Sequence, residues 1–198
     1  MCVIDHDNKL IYIAIPKTGT CSTQTFLRKI ISDNSIVVGS NEPNNIGLCK
    51  HSTAKKISSI IEDYSDYHSI AVIRNPYDWY VSWFTFRKRN GAKISSKNMS
   101  FKEYLNKQPH NELLSWICDD NDNIIVDSII KYEDGIEDQM INIISKIISK
   151  NINLKMKKKK NISKKRKHKD YKIYYNYKTK KIVEKLQSRR LQKFGYKF

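Results

Sequence analysis

Lys9-Leu-Ile-Tyr-Ile-Ala-Ile-Pro-Lys-Thr-Gly-Thr-Cys-Ser-Thr23 is the stretch that decides how this chain is read. Leu10 to Ile15 is a short, continuous apolar run, the pattern of a strand buried on both faces. Pro16 stops it. Lys17, Thr18, Gly19 and Thr20 follow, small and polar around one long cation. From about Thr20 the period changes, and Phe26, Leu27, Ile30 and Ile31 fall on one helical face. The segment therefore reads strand, tight loop, helix N-terminus. Such a terminus presents unpaired N–H groups and about half a positive charge, so it attracts anions. Gly19 allows close backbone approach. Thr18, Thr20, Ser22 and Thr23 add hydroxyls, and Lys17 adds a mobile charge. This is a phosphate-type cradle or, more simply, a strand–turn–helix with a solvated lysine. It is not a Walker A loop, because Pro16 stands where that motif needs the glycine before its lysine.

Composition narrows the partners. The chain has 198 residues, and 37 Lys+Arg against 20 Asp+Glu give a net charge of +17. Ten of those cations, and no acid, lie between Asn151 and Lys169, so more than half the excess is local. Anionic ligands are favoured in general. Hydrophobic content of 39%, with 12 Tyr and 3 Trp, indicates a folded chain of one domain, 1–198, in which 151–170 is expected to be a basic, mobile loop. Cys2, Cys21, Cys49 and Cys118 form no CxxC and read as reduced thiols. The polar start lacks the apolar core of a signal peptide, and no run approaches the ~20 residues of a membrane span. A cytoplasmic location is the expectation.

Further elements follow in order. Ser35–Val38 reads as a strand. Ser52 is expected to cap a helix carrying Ala54, Ile57, Ile60, Ile61 and Tyr64 on one face. Ser69–Ile73 is a buried strand, followed at once by Arg74-Asn-Pro-Tyr-Asp-Trp-Tyr-Val-Ser82. Asn75 suits an N-cap and Pro76 the first helical position, with the helix running to about Lys88. Asn90–Asn98 is a polar loop. Ser100 and Glu103 form a capping box. Asn111–Cys118 is expected to be helical, Ile124–Ile130 a strand, and Gly135–Ser149 an amphipathic helix. Thr179 is expected to cap a last helix ending near Gly195. Strands alternating with helices imply an α/β fold of three layers, a largely parallel sheet flanked by helices. In such sheets ligands bind at the carboxyl ends of strands. Lys17 and Arg74 both lie just past strand ends. An arginine fork at 74 and a hydroxyl at Ser82 can hold one phosphate; the plainer reading pairs Arg74 with Asp78.

Ile15-Pro-Lys-Thr-Gly-Thr-Cys-Ser22 resembles the 5′-phosphosulfate loop of PAPS-dependent carbohydrate sulfotransferases, and Val72-Ile-Arg-Asn-Pro-Tyr-Asp-Trp-Tyr-Val-Ser82 resembles their 3′-phosphate motif. The likeness continues through Lys50-His-Ser-Thr-Ala54, Tyr132-Glu133 and Phe194-Gly-Tyr-Lys-Phe198. Here Thr20 replaces the family's second glycine and Cys21 its threonine, and Trp79 stands where an arginine is frequent. The resemblance implies a P-loop NTPase-like sulfotransferase fold and transfer of a sulfuryl group from PAPS to a hydroxyl, on a carbohydrate, with no metal. Lys17, Thr18, Gly19, Thr20, Cys21 and Ser22 would hold the 5′-phosphosulfate, and Arg74 and Ser82 the 3′-phosphate. Lys17 would also stabilise charge on the bridging oxygen. His51, with an ordinary pKa near ~6.5, would be the general base. Arg166 and His168, in the loop before the last helix, would touch the nucleotide or an anionic glycan. Glu133 reads as structural.

Two other functions remain open on residues alone. A P-loop-like nucleotide or small-molecule kinase would need a magnesium-binding acid at a strand end and a fuller glycine loop. A nucleic-acid-binding protein would rest on the basic tract and show steep salt dependence. Under the sulfotransferase reading, nucleic acid is not an expected partner.

Overall fold

In the computed structural model, β1 (Cys2–Asp5) and β2 (Leu10–Ile13) form an antiparallel hairpin. The structure describes residues 2–89, 99–107, 113–149, 152 and 166–198. Helix α1 (Thr20–Leu27) leads to β3 (Ser35–Val38), which pairs antiparallel with β1. Then come α2 (Ala54–Ser58), β4 (His68–Ile73), α3 (Pro76–Arg89) and α4 (Phe101–Lys107). The chain closes with β5 (Ser128–Lys131), α5 (Glu137–Ile147), α6 (Tyr177–Leu186) and α7 (Ser188–Phe194).

The five strands lie in the order β3-β1-β2-β4-β5, with β2–β4 and β4–β5 parallel. Four strands therefore point one way and only β1 is reversed, as expected of a largely parallel α/β sheet. Ile13 of β2 lies opposite Ala71 of β4, so these two strands finish side by side at the same end of the sheet.

The chain divides into two compact units, Met1–Ile73 with Leu114–Lys160, and Arg74–Leu113 with Asn161–Phe198. The first holds the sheet. Leu10, Tyr12, Ile70, Val72 and Ile130 on one sheet face pack with Phe26 and Leu27 of α1 and Met140 and Ile144 of α5. Each such side chain contributes about 1.5–3 kcal/mol of burial. Ile11, Ile13, Ala71 and Ile73, on the opposite face, are equally buried. The apolar run expected as a strand over Leu10–Ile15 is thus a strand with two dry faces over Leu10–Ile13, and Ala14 and Ile15, also buried, lead into the loop. The second unit is organised by aromatic contacts: Phe84 meets Phe101 at 5.2 Å and Tyr104 at 5.4 Å, and Phe101 meets Tyr175 at 4.9 Å.

Several boundaries differ from expectation. Strand β1 reads as polar chain because Asp5 ends it. Yet Asp5 is fully buried, accepting from Asn8 Nδ2 (2.7 Å) and from Ser32 N (3.1 Å) and Oγ (2.6 Å). Burial works against its charge, but these hydrogen bonds outweigh it and hold the carboxyl below its ordinary value. Helix α1 stops at Leu27, although Ile30 and Ile31 still pack on the core. Thr53, not Ser52, caps α2, accepting from Lys56 N, while Ser52 Oγ accepts from Cys49 N. The strand expected over Ile124–Ile130 is β5, because Ile124 makes only an isolated bridge to Cys118 and Asp127 turns its carboxylate onto Ser69 N and Oγ. Asn176, not Thr179, caps α6, with Thr179 as the reciprocal partner. The last helix breaks at the buried Gln187, whose Nε2 donates to Tyr80 Oη at 3.3 Å. The capping residues at Asn75 and Ser100 are as read: Asn75 Oδ1 accepts from Tyr77 N, and Ser100 and Glu103 bond reciprocally. The segment Leu113–Trp116 is a 3-10 turn. The loop expected at 90–98 and most of the basic loop at 151–170 lie outside the described residues.

Candidate functional site

The loop between β2 and α1 turns sharply on two residues in left-handed conformation, Lys17 (φ 67) and Gly19 (φ 84). A lysine held there costs roughly 1–2 kcal/mol, and such strain gathers at ligand sites. Thr18 is fully buried and its Oγ1 donates to Ile15 O at 2.8 Å, which fixes the loop against the strand end. Gly19 caps α1 without a side chain, and its carbonyl accepts from Ser22 N (2.9 Å) and Thr23 N (3.2 Å). The Ser22 amide is therefore spent inside the helix, and its hydroxyl is the group left for a ligand. A Cβ at Gly19 would lie 2.8 Å from Ile136 Cδ1 and 3.3 Å from the Tyr132 ring. Gly19→Ala is thus expected to lower stability by about 1–2 kcal/mol, read as a lower urea midpoint. An unchanged midpoint would mean that the loop relaxes at no cost.

His51 is tied to the same strand end. Its Nδ1 lies 2.5 Å from Ala14 O, and its own carbonyl accepts from Trp116 Nε1 at 3.2 Å. A carbonyl can only accept, so Nδ1 carries the proton and Nε2 keeps the lone pair. Burial pushes the His51 pKa down to about 4, outweighing the opposite pull of the Ala14 hydrogen bond. The ring is consequently neutral at pH 7, and its basic nitrogen is the one not bonded to the Ala14 carbonyl. This is the tautomer a general base requires, though with lower proton affinity than an ordinary histidine.

In the second unit, Arg74 leads into α3. Its Nε donates to Asp78 Oδ2 at 2.7 Å and its Nη2 lies 2.5 Å from the same oxygen. Arg166 Nη1 is 2.8 Å from the other oxygen of that carboxylate, Oδ1. The three side chains are only 8%, 13% and 15% exposed, so these pairs are weakly screened. Arg166 also donates through Nε to His168 O (2.8 Å) and through Nη2 to Lys169 O. Arg190, completely buried, donates through Nη2 to Arg74 O at 2.6 Å. Arg74 is therefore fixed at its backbone and at its side chain. Ser82 lies half-buried on α3, one further turn along from Asp78.

The remaining sequence candidates take plainer places. Thr20 is buried; Cys21 is half-buried and, like the other three cysteines, in no disulfide. His168 is exposed, and its amide donates to Tyr174 Oη at 3.3 Å. Glu133 sits exposed in a short 3-10 turn. Trp79 is packing, edge-on to Tyr80 (5.2 Å) and Trp83 (5.9 Å). Tyr77, Tyr171, Tyr175 and Phe198 form one aromatic cluster, and Asn75 Nδ2 donates to Lys197 O at 3.3 Å, which seats the C-terminal residues at the start of α3. Sequence reading missed Arg190, since an arginine in a basic helix looks solvated; only its seven-residue spacing from Val183 hinted at an inward face. It also missed Trp116, which holds the His51 backbone. Among the described residues, no group of three or more metal-ligating side chains occurs, and no helix is long and apolar enough to cross a membrane.

No curated protein matches the chain by sequence. By structure it is similar to mouse sulfotransferase SULT7A1, whose crystal structure is complexed with PAP, with a TM-score of 0.61 and 14% identity. The match covers 94% of this chain and 86% of that one, and at this identity it speaks for the fold. The sulfotransferase family matches across residues 1–198. With the β2–α1 loop and the Arg74 helix both lying within that span, the chain belongs to the sulfotransferase family.

Proposed function

We propose that this protein transfers the sulfuryl group of PAPS to a hydroxyl acceptor, carbohydrate being the expected class, and that its two units serve one catalytic domain. Family membership supports sulfuryl transfer, and the PAP bound to the structural neighbour supports the donor. The observation that carries the reading is the bond from His51 to Ala14: it ties a neutral histidine to the strand that ends in the Lys17 loop.

PAPS supplies an activated sulfuryl group. Lys17, the Thr18–Cys21 amides and the Ser22 hydroxyl hold its 5′ end, and Arg74 and Ser82 hold its 3′-phosphate. His51 Nε2 accepts the proton of the acceptor hydroxyl as the new S–O bond forms. Lys17 balances the charge that gathers on the departing phosphate oxygen. Preorganised charge of this kind is the main source of rate in group transfers of phosphate type, and in-line sulfuryl transfer makes the same demand.

A thermal-shift series tests the reading. Adenosine 3′,5′-bisphosphate at a hundred times its dissociation constant should raise the melting temperature by roughly 5–10 °C. ATP with magnesium, or an oligonucleotide, should do less. Equal or larger stabilisation by ATP would transfer the assignment to a kinase, and by the oligonucleotide to a nucleic-acid-binding protein.

A further inference from the structure

The geometry points to Asp78 as the residue that positions the 3′-phosphate grip, holding Arg74 and Arg166 in place for an incoming phosphate. This rests on the reading of Arg74 and Ser82 as that grip.

Asp78 and Ser82, four residues apart, lie on one side of α3, and Arg74, just before the helix, reaches Asp78 from the preceding chain. Asp78 stands between the other two. Arg74 spends its Nε–Nη2 edge on one carboxylate oxygen, and Arg166 reaches the other. Arginine has many rotamers, and ordering it costs conformational entropy. Here that cost is met before any ligand arrives. The group counts two guanidiniums to one carboxylate, leaving a net charge of +1 in a place where all three side chains are mostly buried. Such a group still attracts an anion, and a planar guanidinium already oriented loses less on binding it.

Asp78 also has a second effect. Arg166 binds the carbonyls of His168 and Lys169 with the nitrogens it does not give to Asp78. The carboxylate thereby anchors the chain that returns from the basic tract to the start of α3. Removing its charge would leave two nearly buried cations facing each other, and a buried charge deprived of its partner is strongly unfavourable. Arg74 would then be expected to leave its present rotamer. The opposing possibility is that Asp78 repels phosphate and blunts Arg74. The two ideas predict effects of opposite sign.

The test is calorimetric titration of the whole chain and of Asp78→Asn, Asp78→Glu and Arg166→Gln. Each is titrated with adenosine 3′,5′-bisphosphate and with adenosine 5′-monophosphate. Asp78→Asn should weaken the bisphosphate by about 10- to 100-fold, the size of one lost hydrogen bond to a charged group. The monophosphate should change little, so selectivity collapses. Arg166→Gln should move selectivity the same way by less, and Asp78→Glu should restore part of it. Unchanged or increased selectivity in Asp78→Asn would overturn the inference. Equal loss for both nucleotides would also overturn it, because that marks a purely structural role. If Asp78→Asn does not fold by circular dichroism, Arg166→Gln and Asp78→Glu decide on the same ratio. A wild-type chain that does not distinguish the two nucleotides would instead sink the 3′-phosphate reading, and this inference with it.

Discussion

Lys17→Ala is expected to lower the turnover of sulfuryl transfer by about 10²–10³-fold, the effect of losing one preorganised charge donor at a developing anion. The loop around it is secured by other groups: Thr18 Oγ1 on Ile15 O, and the Gly19 carbonyl on the first turn of α1. The variant should therefore fold. Lys17→Gly separates the two roles of this position. Glycine accepts φ 67 without strain, so it should be more stable than Lys17→Ala by about 1 kcal/mol and equally inactive. Steady-state rates and urea midpoints measured on the same samples check both statements. Activity that followed stability across the pair would remove Lys17 from the chemistry.

His51 should contribute about 10²–10⁴-fold as the general base. Asparagine is the informative replacement. Its Nδ2–H sits close to the position of the imidazole Nδ1–H and can keep the donation to Ala14 O, while the basic Nε2 disappears. His51→Asn should fold and turn over slowly. His51→Gln places its amide where Nε2 was, loses the Ala14 bond, and should be both less stable and slow. Full activity in His51→Asn would leave the histidine a purely structural pin. The pH dependence has a definite sign. In the unfolded chain the ring titrates near its ordinary 6.5; in the fold, burial lowers this to about 4. The neutral ring thus stabilises the fold fully above 6.5, and this contribution is lost as pH falls from there through about 4. The unfolded chain binds the proton first. Replacing His51 should flatten the acid side of the stability curve. In the free enzyme, kcat/KM should keep its basic form of His51 down to about pH 4, well below where an unperturbed histidine would fail.

Much of this architecture was legible before any coordinates. Continuous apolar runs of β-branched residues at Leu10–Ile15 and Ser69–Ile73 have no wet face, and only a strand covered on both sides accommodates them. Short-range chemistry was equally readable. Asn75-Pro76 and Ser100-x-x-Glu103 start helices because their hydrogen bonds close within three residues and need no tertiary partner. Where local signals competed, sequence reading slipped by a residue or more. Ser52 and Thr53 are both good caps, and only the tie from Cys49 N to Ser52 Oγ chose between them. Asp5 ends β1 as a fully buried carboxylate, which is acceptable only because Asn8 and Ser32, far apart in the chain, both bond to it.

Residue types and their local spacing by themselves determined the strand–loop–helix at Lys17, the arginine that opens α3, and a histidine near a helix start. Contacts between distant segments decided the rest, because energies of buried charges depend on neighbours that a one-dimensional pattern does not contain. The Ala14 carbonyl selected the His51 tautomer, and burial set its proton affinity. Asp78 became the shared counter-charge of Arg74 and Arg166, and Arg190 was drawn fully out of water onto the Arg74 carbonyl.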